Sequence, residues 1–539
     1  MKLRLTILMS ICSMFAFSQG KTGVSSIWQS DKGEGTYQNP ILYADYSDPD
    51  AIRVGDDYYL IASSFNKVPG LPILHSKDLV NWKLIGYALN KLVPYNHFKT
   101  VQHGNGVWAP AIRYHNNEFY IYYPDPDFGI YLVKAKSING PWSEPLLVQE
   151  GKGLIDPCPF WDDNGKAYLV HAFAGSRAGI KSILVIKEMN AAGNQIIGGG
   201  QIVYDGHKDD PTIEGPKMYK RNGYYYLFAP AGGVSTGWQT VLRSKTVFGP
   251  YERRVVMDQG QSAINGPHQG AWLTTPQGEN WFLHFQDKGA YGRIVHLQPM
   301  VWKNDWPIIG GYKGDATKGE PVERYKKPGM TSKTAITGLP DSDEFNSRSL
   351  GLQWQWQANP EPWWQFMTGS AVRLFSNPIP DSLKNKWLVP SLLLQKIPAP
   401  QFQVITKMQF HLSKEGEQAG LLLFGTDYFY ISAEKRSNGL YISFNSCIDA
   451  INGKKEQSFE LIKAEQETIY FKMVMTEGAK CRFGYSLDGS NYKLVDGFFQ
   501  AKQGKWVGAS IGLFCTATKG TNDAGYVDVD WFRFEPHAE

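Results

Sequence analysis

Residues 53–60 read Arg-Val-Gly-Asp-Asp-Tyr-Tyr-Leu, a polar turn followed by aromatic residues that favour a β-strand. This pattern is typical of a β-hairpin, and four later stretches share it. A hairpin repeated about every 55 residues is typical of propeller blades, so the sequence predicts a five-bladed β-propeller. The turns are centred on Gly55, Asn117, Gly165, Gly223 and Gly278, at spacings of 62, 48, 58 and 55 residues.

Side chains suited to chemistry occur at nearly one position of each repeat, seven to ten residues before the turn. They are Asp48, Trp108, Asp156, Glu214 and His268. Because equivalent positions of propeller blades lie at one radius and on one face, these side chains should meet at the central channel. Acids that merely cap turns are the alternative, but three acids in register, each soon followed by proline, favour a site. The proline after Asp48 also predicts an extended backbone there.

Three convergent carboxylates suit the hydrolysis of a glycosidic bond. One acid protonates the leaving oxygen, while a second activates water or attacks the sugar ring. A third carboxylate nearby would keep the first acid protonated near neutral pH through like-charge repulsion. A Ca²⁺ site is the competing use of these oxygens, whereas a single nearby histidine makes a poor zinc set.

The chain of 539 residues is too long for one hydrophobic core, so at least two domains are expected. We predict the propeller over residues 19–325 and an exposed linker, rich in Lys, Pro, Gly, Thr and Ser, over 326–340. Short alternating strands then predict a two-sheet β-sandwich over 341–539. Both domains are therefore expected to be all-β.

Residues 1–18 have the pattern of a secretory signal peptide, with Lys2 and Arg4 before an apolar run too short to span a bilayer. We therefore expect an exported protein without a membrane span. The net charge of +4, or +2 without those two residues, is too small to indicate a nucleic acid partner. The later cysteines lack metal-binding spacing, which leaves either free thiols or a Cys447–Cys481 pair.

Several motifs around these acids resemble those of glycoside hydrolase family 43. The resemblance covers about residues 37–310, and the C-terminal part is similar, more loosely, to the concanavalin-like sandwich of many family members. The motifs that carry it are Ser47-Asp-Pro-Asp50, Val107-Trp-Ala-Pro110, Asp156-Pro-Cys-Pro-Phe-Trp161, Glu214-Gly-Pro216 and Gly266-Pro-His-Gln-Gly270.

This resemblance implies an inverting, exo-acting glycosidase on a five-bladed propeller. It implies that Asp48 is the general base and Glu214 the general acid, and that Asp156 keeps that acid protonated and helps to orient the sugar. Arg293 is implied to reach the terminal sugar and the acid. The other implied site residues are aromatic side chains around the sugar and a channel histidine near a Ca²⁺ or its waters: Phe65, Trp108 and His268.

The implied substrate is a terminal, non-reducing α-L-arabinofuranosyl residue of plant hemicellulose or its oligosaccharides, with β-xylosidase activity as the alternative. Many β-xylosidases of the family read His-Pro-Asp-Pro-Ser where this chain reads Tyr46-Ser-Asp-Pro-Asp50. This difference favours arabinofuranosidase activity. No cofactor is expected to be required, although a structural Ca²⁺ fits the resemblance. Arg177, in a loop after the third hairpin, is a further candidate for the mouth of the site.

Two other classes of protein are less consistent with the sequence. A sugar-binding propeller without catalysis should have lost one of the three acids, and all three are present. A retaining enzyme of the invertase type should carry a Glu-Cys pair at the acid position. Here Glu214 is followed by glycine.

Overall fold

The computed structural model describes residues 25, 27–329, 335–380 and 382–537. The predicted signal peptide and the middle of the predicted linker lie outside these residues. The prediction of an all-β chain is confirmed: a five-bladed propeller is followed by a β-sandwich. Nowhere in the described ranges is a helix long and apolar enough to cross a bilayer. The short helical segments are α1 (Gly175–Ala178) and the 3₁₀ turns His97–Lys99, Gly289–Tyr291 and Ala450–Asn452.

Each blade is a four-stranded antiparallel sheet whose strands follow chain order from the channel outwards. The strands are β1 (Thr36–Gln38), outside the blades; β2 (Asp50–Val54), β3 (Asp57–Ile61), β4 (Gly70–Ser76) and β5 (Trp82–Leu89) in blade 1; β6 (Ala111–His115), β7 (Glu118–Asp125), β8 (Gly129–Ala135) and β9 (Leu146–Glu150) in blade 2; β10 (Leu154–Trp161), β11 (Ala167–Phe173), β12 (Ile183–Met189) and β13 (Ile196–Asp205) in blade 3; β14 (Lys217–Arg221), β15 (Tyr224–Ala231), β16 (Trp238–Ser244) and β17 (Glu252–Met257) in blade 4; and β18 (His268–Thr274), β19 (Asn280–Asp287), β20 (Arg293–Lys303) and β21 (Trp306–Ile309) in blade 5.

The five predicted turns join the first and second strands of the five blades. Their central residues have positive φ angles, from 61° at Asn117 to 88° at Gly278. Glycine and asparagine adopt this left-handed backbone at little cost, and it matches the twist of a hairpin. The turn residues therefore dictate the repeat that the sequence shows.

The ring of blades closes through the segment that precedes blade 1. Leu42 pairs with Val295 of β20 through backbone hydrogen bonds of 3.3 and 3.1 Å, and β18 packs beside β2. After blade 5 the chain returns to pair β1 with β22 (Arg324–Lys326). The chain thus enters and leaves the propeller at one edge.

The C-terminal domain consists of two packed sheets whose facing apolar residues form one core. Its strands are β23 (Gln365–Met367), β24 (Val372–Phe375), β25 (Asn377–Pro378), β26 (Leu393–Lys396), β27 (Phe402–His411), β28 (Gln418–Phe424), β29 (Tyr428–Arg436), β30 (Gly439–Cys447), β31 (Gln457–Ala464), β32 (Thr468–Thr476), β33 (Lys480–Ser486), β34 (Lys493–Leu494), β35 (Phe499–Gln500), β36 (Ser510–Ala517) and β37 (Tyr526–Glu535). One sheet has the order β23-β24-β37-β27-β32-β33-β34, with β35 on β33. The other has the order β25-β36-β28-β29-β30-β31, with β26 on β36.

The two domains are docked by shared packing and paired backbone. Tyr43 and Tyr291 of the propeller pack into the core of the sandwich. Val68 and Trp356 exchange two backbone hydrogen bonds, of 3.0 and 2.7 Å. This docking holds loops of the sandwich against the channel end of the propeller.

The cysteines of the described residues are unpaired. Cys158, Cys447, Cys481 and Cys515 are all buried thiols. Burial raises the pKa of Cys481 to about 12, which keeps that thiol protonated and unreactive at neutral pH. Of the two alternatives left open by the sequence, free thiols are therefore the one found.

Candidate active site

The structure brings the five repeat-phase residues to one end of the channel, where the innermost strands begin. Asp48 lies two residues before β2, and Trp108 and Glu214 lie three residues before β6 and β14. His268 opens β18, and Asp156 lies within β10. Both β10 and β18 have a register shift at this point, a β-bulge that redirects a side chain next to a site.

The backbone at two of the acids is left-handed rather than extended. The φ angles are 54° at Asp48 and 56° at Asp156, and each residue precedes a proline. The prediction of an extended backbone at Asp48 was therefore wrong. Proline disfavours the right-handed helical region at the preceding residue, and the surrounding hydrogen bonds select the left-handed alternative. Such a backbone costs about 1–3 kcal/mol and is typical of functional sites.

Asp48 is held by a ring of donors. The Ser47 and Ser63 hydroxyls each donate to Oδ2 at 2.6 Å. Arg293 Nη1 donates to Oδ1 at 3.0 Å and also to the Ser47 hydroxyl at 2.7 Å. The side chain is only 8% exposed. These bonds fix the carboxylate but leave Oδ1 with one protein donor, so it can accept a proton from a bound water.

Arg293 is therefore paired with the predicted base and not with the predicted acid. Its guanidinium lies over the Phe285 ring, with Cζ 4.9 Å from the ring centroid. Its backbone N–H donates to Asp45 Oδ1 at 2.9 Å. The implied contact between Arg293 and Glu214 is absent from the hydrogen bonds of the described residues. Its place is taken by the ion pair with Asp48.

Glu214 is the most accessible of the three acids, with its side chain 31% exposed. His268, which is fully buried, lies behind it with Nε2 2.8 Å from Glu214 Oε1. With its proton on Nε2, the imidazole donates to this carboxyl group and orients it. The structure thus places His268 where it positions the acid. The partly exposed Glu214 carboxyl is the one of the three that a bound substrate can reach.

Asp156 is buried, and it lies close enough to the other two acids for both of their charges to act on it. Its Oδ2 accepts the Gly215 N–H at 2.7 Å and the Gln269 amide at 3.2 Å. Burial, and then the charges of Glu214 and Asp48, raise the pKa of Asp156 to about 8. Asp156 therefore keeps its proton near neutral pH, because a second negative charge beside the other two acids is costly.

Aromatic side chains form one rim of the site. The Phe65 and Trp108 rings lie 6.3 Å apart, and Trp108 lies 6.3 Å from Trp506 of the sandwich. Trp506 is 48% exposed and has a φ angle of 66°. The Arg177 guanidinium lies over Trp108, 5.6 Å from the ring centroid, and donates to Asn105 Oδ1 at 2.8 Å. Arg177, a candidate from the sequence, thus lies at this rim.

A groove of about 300 Å³ continues outwards from this rim between the two domains. Blade loops contribute His103 and Arg177, and the sandwich contributes Leu388, Ile451 and Lys505. Its size suits one or two sugar units. The wall is mixed, with apolar side chains on the sandwich and basic groups on both sides.

The described residues contain no group of three or more His, Cys, Asp or Glu side chains placed to hold a metal ion. Ca²⁺ prefers six to eight oxygen ligands. The His268 ring nitrogen that does not face Glu214 is Nδ1, and it has no hydrogen-bond partner. The backbone of Gly237 lies against this nitrogen, since a Cβ added at Gly237 would be 3.2 Å from it. The protein side chains thus do not form a calcium cage at His268, and a water-held channel cation stays a prediction.

Comparison with known proteins identifies the family. Residues 37–307 match the model of glycosyl hydrolases family 43, and residues 342–535 match the beta xylosidase C-terminal concanavalin A-like domain. The chain belongs to glycosyl hydrolases family 43. It is therefore a glycoside hydrolase.

Three similar proteins span nearly the whole chain. A protein from Xylanibacter ruminicola, provisionally named a beta-xylosidase, is 38% identical over 90% of this chain and 87% of its own. A non-reducing end alpha-L-arabinofuranosidase from Bacteroides ovatus is 28% identical over 93% and 94% of the two chains. The solved structure of a xylan beta-1,4-xylosidase from Bacillus halodurans superposes with a TM-score of 0.82 at 26% identity, over 92% and 99% of the two chains.

Several residues of the site were not found from the sequence. Ser47 and Ser63 hold Asp48, and Gln269 binds Asp156. Trp506 comes from the other domain, almost 400 residues after Trp108. Ser47 and Gln269 adjoin predicted site residues and could have been proposed on that ground. No local pattern marks Ser63 or Trp506.

Proposed function

We propose that this protein is an inverting, exo-acting glycosidase that removes single terminal pentoses from xylan-type plant hemicellulose or its oligosaccharides. The observation that carries the proposal is the set of three unlike carboxyl groups at one end of the channel. Asp48 is fixed by donors, Glu214 is accessible, and Asp156 is buried within reach of both charges. Asp48 Oδ1 has a single well-formed protein donor, which suits a base that accepts a proton from water, the role that inversion requires.

In the proposed reaction Asp48 accepts a proton from water as the water attacks the anomeric carbon. Glu214, in its protonated form, donates its proton to the leaving oxygen. The glycosidic bond breaks as the new C–O bond forms on the opposite face, so the configuration inverts. His268 holds Glu214 in place, and Arg293 holds Asp48.

Exo action is supported by the docking of the sandwich. Trp506 and Lys505 overhang the site beside Trp108 and Gly104, so a polymer has no straight path across the channel. A chain end can still enter, with the first sugar at the three acids. The groove of about 300 Å³ would then receive the rest of the substrate.

We propose β-xylosidase as the first activity to test. The relatives named for xylosidase activity include the 38% identical protein and the 26% identical structure. α-L-arabinofuranosidase, favoured by the motif around Asp48, is the second candidate and is the named activity of the 28% identical relative. Both substrates are pentosides that place similar atoms in such a pocket.

Two measurements test these proposals. Rates with nitrophenyl β-D-xylopyranoside and nitrophenyl α-L-arabinofuranoside, compared as kcat/KM, decide between the two activities. Proton NMR of the first-formed sugar decides the stereochemistry: we expect the α-anomer from a β-xyloside. Net retention would overturn the mechanism, and turnover of neither pentoside would overturn the substrate class.

We also propose export, on the basis of residues 1–18 alone. Mass spectrometry of the mature N-terminus after expression in a bacterium tests it. Cleavage after about residue 18 is expected, and an intact N-terminus on a cytoplasmic product would contradict it.

A further inference from the structure

A second polar cavity lies between the two domains, directly behind the predicted base. The propeller contributes Ser63, Ser64 and Lys67, and strand β26 of the sandwich contributes Gln395 and Lys396. Its volume is about 20 Å³, where a water-sized sphere needs roughly 10–15 Å³. The cavity therefore holds one small particle, not a sugar or a phosphate.

Hydrogen-bond donors are in excess around this cavity. The Gln395 amide nitrogen is buried and has no hydrogen-bond partner. Lys396 Nζ forms no hydrogen bond with the described residues and lies over the Tyr46 ring, 5.1 Å from its centroid. Lys67 Nζ has only a long bond of 3.4 Å to Gln357 Oε1. Buried donors and ammonium groups are costly unless they are paired, so this arrangement calls for an acceptor.

The one carboxylate of the cavity wall does not supply that acceptor. Asp45 Oδ1 accepts the Arg293 N–H and Oδ2 accepts the Gly508 N–H, each at 2.9 Å. Asp45 balances one of the two ammonium charges, which leaves one positive charge in excess. Burial, and then the charge of Lys396, lower the pKa of Lys67 to about 7, so an anion beside the two lysines would be needed to keep both of them protonated at neutral pH.

We propose that this cavity is a chloride-binding site that links the two domains. A monatomic anion matches the volume, the excess positive charge and the unpaired donors, whereas water would leave the charge unbalanced. The anion would join Lys67 of the propeller to Gln395 and Lys396 of the sandwich. It would also lie behind Ser63, whose hydroxyl donates to Asp48 at 2.6 Å.

The first test compares the apparent Tm of the full-length protein in sodium chloride and in sodium gluconate at equal ionic strength. A ligand that binds only the folded state raises stability with its concentration, so the Tm should rise by roughly 1–3 °C in chloride and then saturate. Equal Tm values in the two salts across the titration would overturn the proposal.

Two variants separate the site from general salt effects. Lys396→Met should abolish the chloride dependence without lowering the Tm in gluconate, because it removes one of two repelling charges. Lys519→Met, at an exposed position, should keep the full dependence. A chloride response that survives in Lys396→Met would contradict the site. If that variant fails to fold, anomalous scattering from a bromide-soaked crystal decides the matter, since a peak between Lys67 and Lys396 is expected and its absence overturns the proposal.

Discussion

The three acids differ because each has a different shell of neighbours. Asp48 accepts from two hydroxyls and a guanidinium, Glu214 faces solvent and His268, and Asp156 is enclosed with one backbone donor and one amide. Identical chemical groups can perform different steps when solvation and nearby charge differ. The proposed assignment of base, acid and charge-tuning neighbour rests on these environments, and it can be tested by substitution.

Removal of the acid and removal of the base should respond differently to the leaving group. Glu214→Ala should lose roughly 10²–10⁴-fold in kcat on an oligosaccharide but much less on a substrate with a nitrophenolate leaving group, which needs no proton. Asp48→Ala should lose activity on both substrates, because water activation is gone. The measurement is kcat across aryl pentosides of graded leaving-group pKa.

The exposed turn variant Asp56→Ala should behave as the wild type in that series. Parallel responses of the Glu214 and Asp48 variants to the leaving group would mean that the two roles are wrongly assigned.

Asp156→Asn should shift the basic limb of the pH–rate profile to lower pH. Two coupled carboxyls lose their second proton late because the charges repel, and a single carboxyl beside a neutral amide loses it earlier. Activity near neutrality should fall, while the acid limb should move less. A basic limb that stays in place, in a folded variant, would reduce Asp156 to a sugar contact or a turn residue.

The same substitution should make the protein more stable at neutral pH. The folded-state pKa of Asp156 is about 8, above its usual 3.8, so the unfolded state ionises first and stability is lost as pH rises from about 4 to 8. Asparagine removes that loss. We expect a gain of up to about 4 kcal/mol at pH 7 and little change at pH 4, measured by urea denaturation at both values. An equal change at the two pH values would contradict the buried charge as its cause.

At the scale of elements, buried polar bonds tie the innermost strands to one another. Asp50 at the start of β2 accepts the Ile112 N–H at 2.9 Å and Arg113 Nη1 at 2.7 Å, both from β6. Arg113 Nη2 lies 2.8 Å from Cys158 Sγ of β10. These bonds join blades 1, 2 and 3 directly below the site. They also set the position of Asp48, two residues before Asp50.

Asp50→Ala should destabilise the propeller by about 3–5 kcal/mol, because it leaves the Arg113 guanidinium buried without a carboxylate. Asp50→Asn, which keeps an acceptor, should cost less. The double variant Asp50→Ala/Arg113→Met should recover part of the loss, as measured in a double-mutant cycle of unfolding free energies. Strict additivity of the two single changes would show that the pair is not coupled.

At the scale of the whole molecule, the sandwich completes the mouth of the site. Its 504–508 segment brings Trp506 beside Trp108, and Gly508 of the same segment donates to Asp45 below Arg293. Domain docking therefore acts on the substrate rim and on the support of the base together. The sandwich is therefore docked on the propeller and not joined to it by the linker alone.

Trp506→Ala should raise KM for a xylo-oligosaccharide by roughly 3- to 10-fold, with a smaller effect on kcat. This factor corresponds to the binding free energy of one aromatic contact. KM for a nitrophenyl pentoside should change less, because that substrate ends close to the first sugar. Trp363→Ala, which removes another exposed tryptophan of the sandwich, is the matched control and should alter neither constant. A Trp506 variant with normal KM for both substrates would remove this residue from the substrate path.

The sequence determined the fold class, the number of blades and the convergence of the acids. Each follows from local chemistry: left-handed turn residues such as Gly55 and Gly223 set the hairpins, and the phase of Asp48, Asp156 and Glu214 before those turns puts them on one face. Periodicity carries such information because each blade repeats one local pattern.

Only the tertiary structure decided which groups touch. The pairing of Arg293 with Asp48, the position of His268 behind Glu214 and the arrival of Trp506 at the rim each join residues 50 to 400 positions apart. The left-handed backbone at Asp48 was likewise selected by hydrogen bonds from distant residues against the local preference for an extended chain. Contacts of this kind depend on how blades and domains pack, and no local pattern of residues encodes that packing.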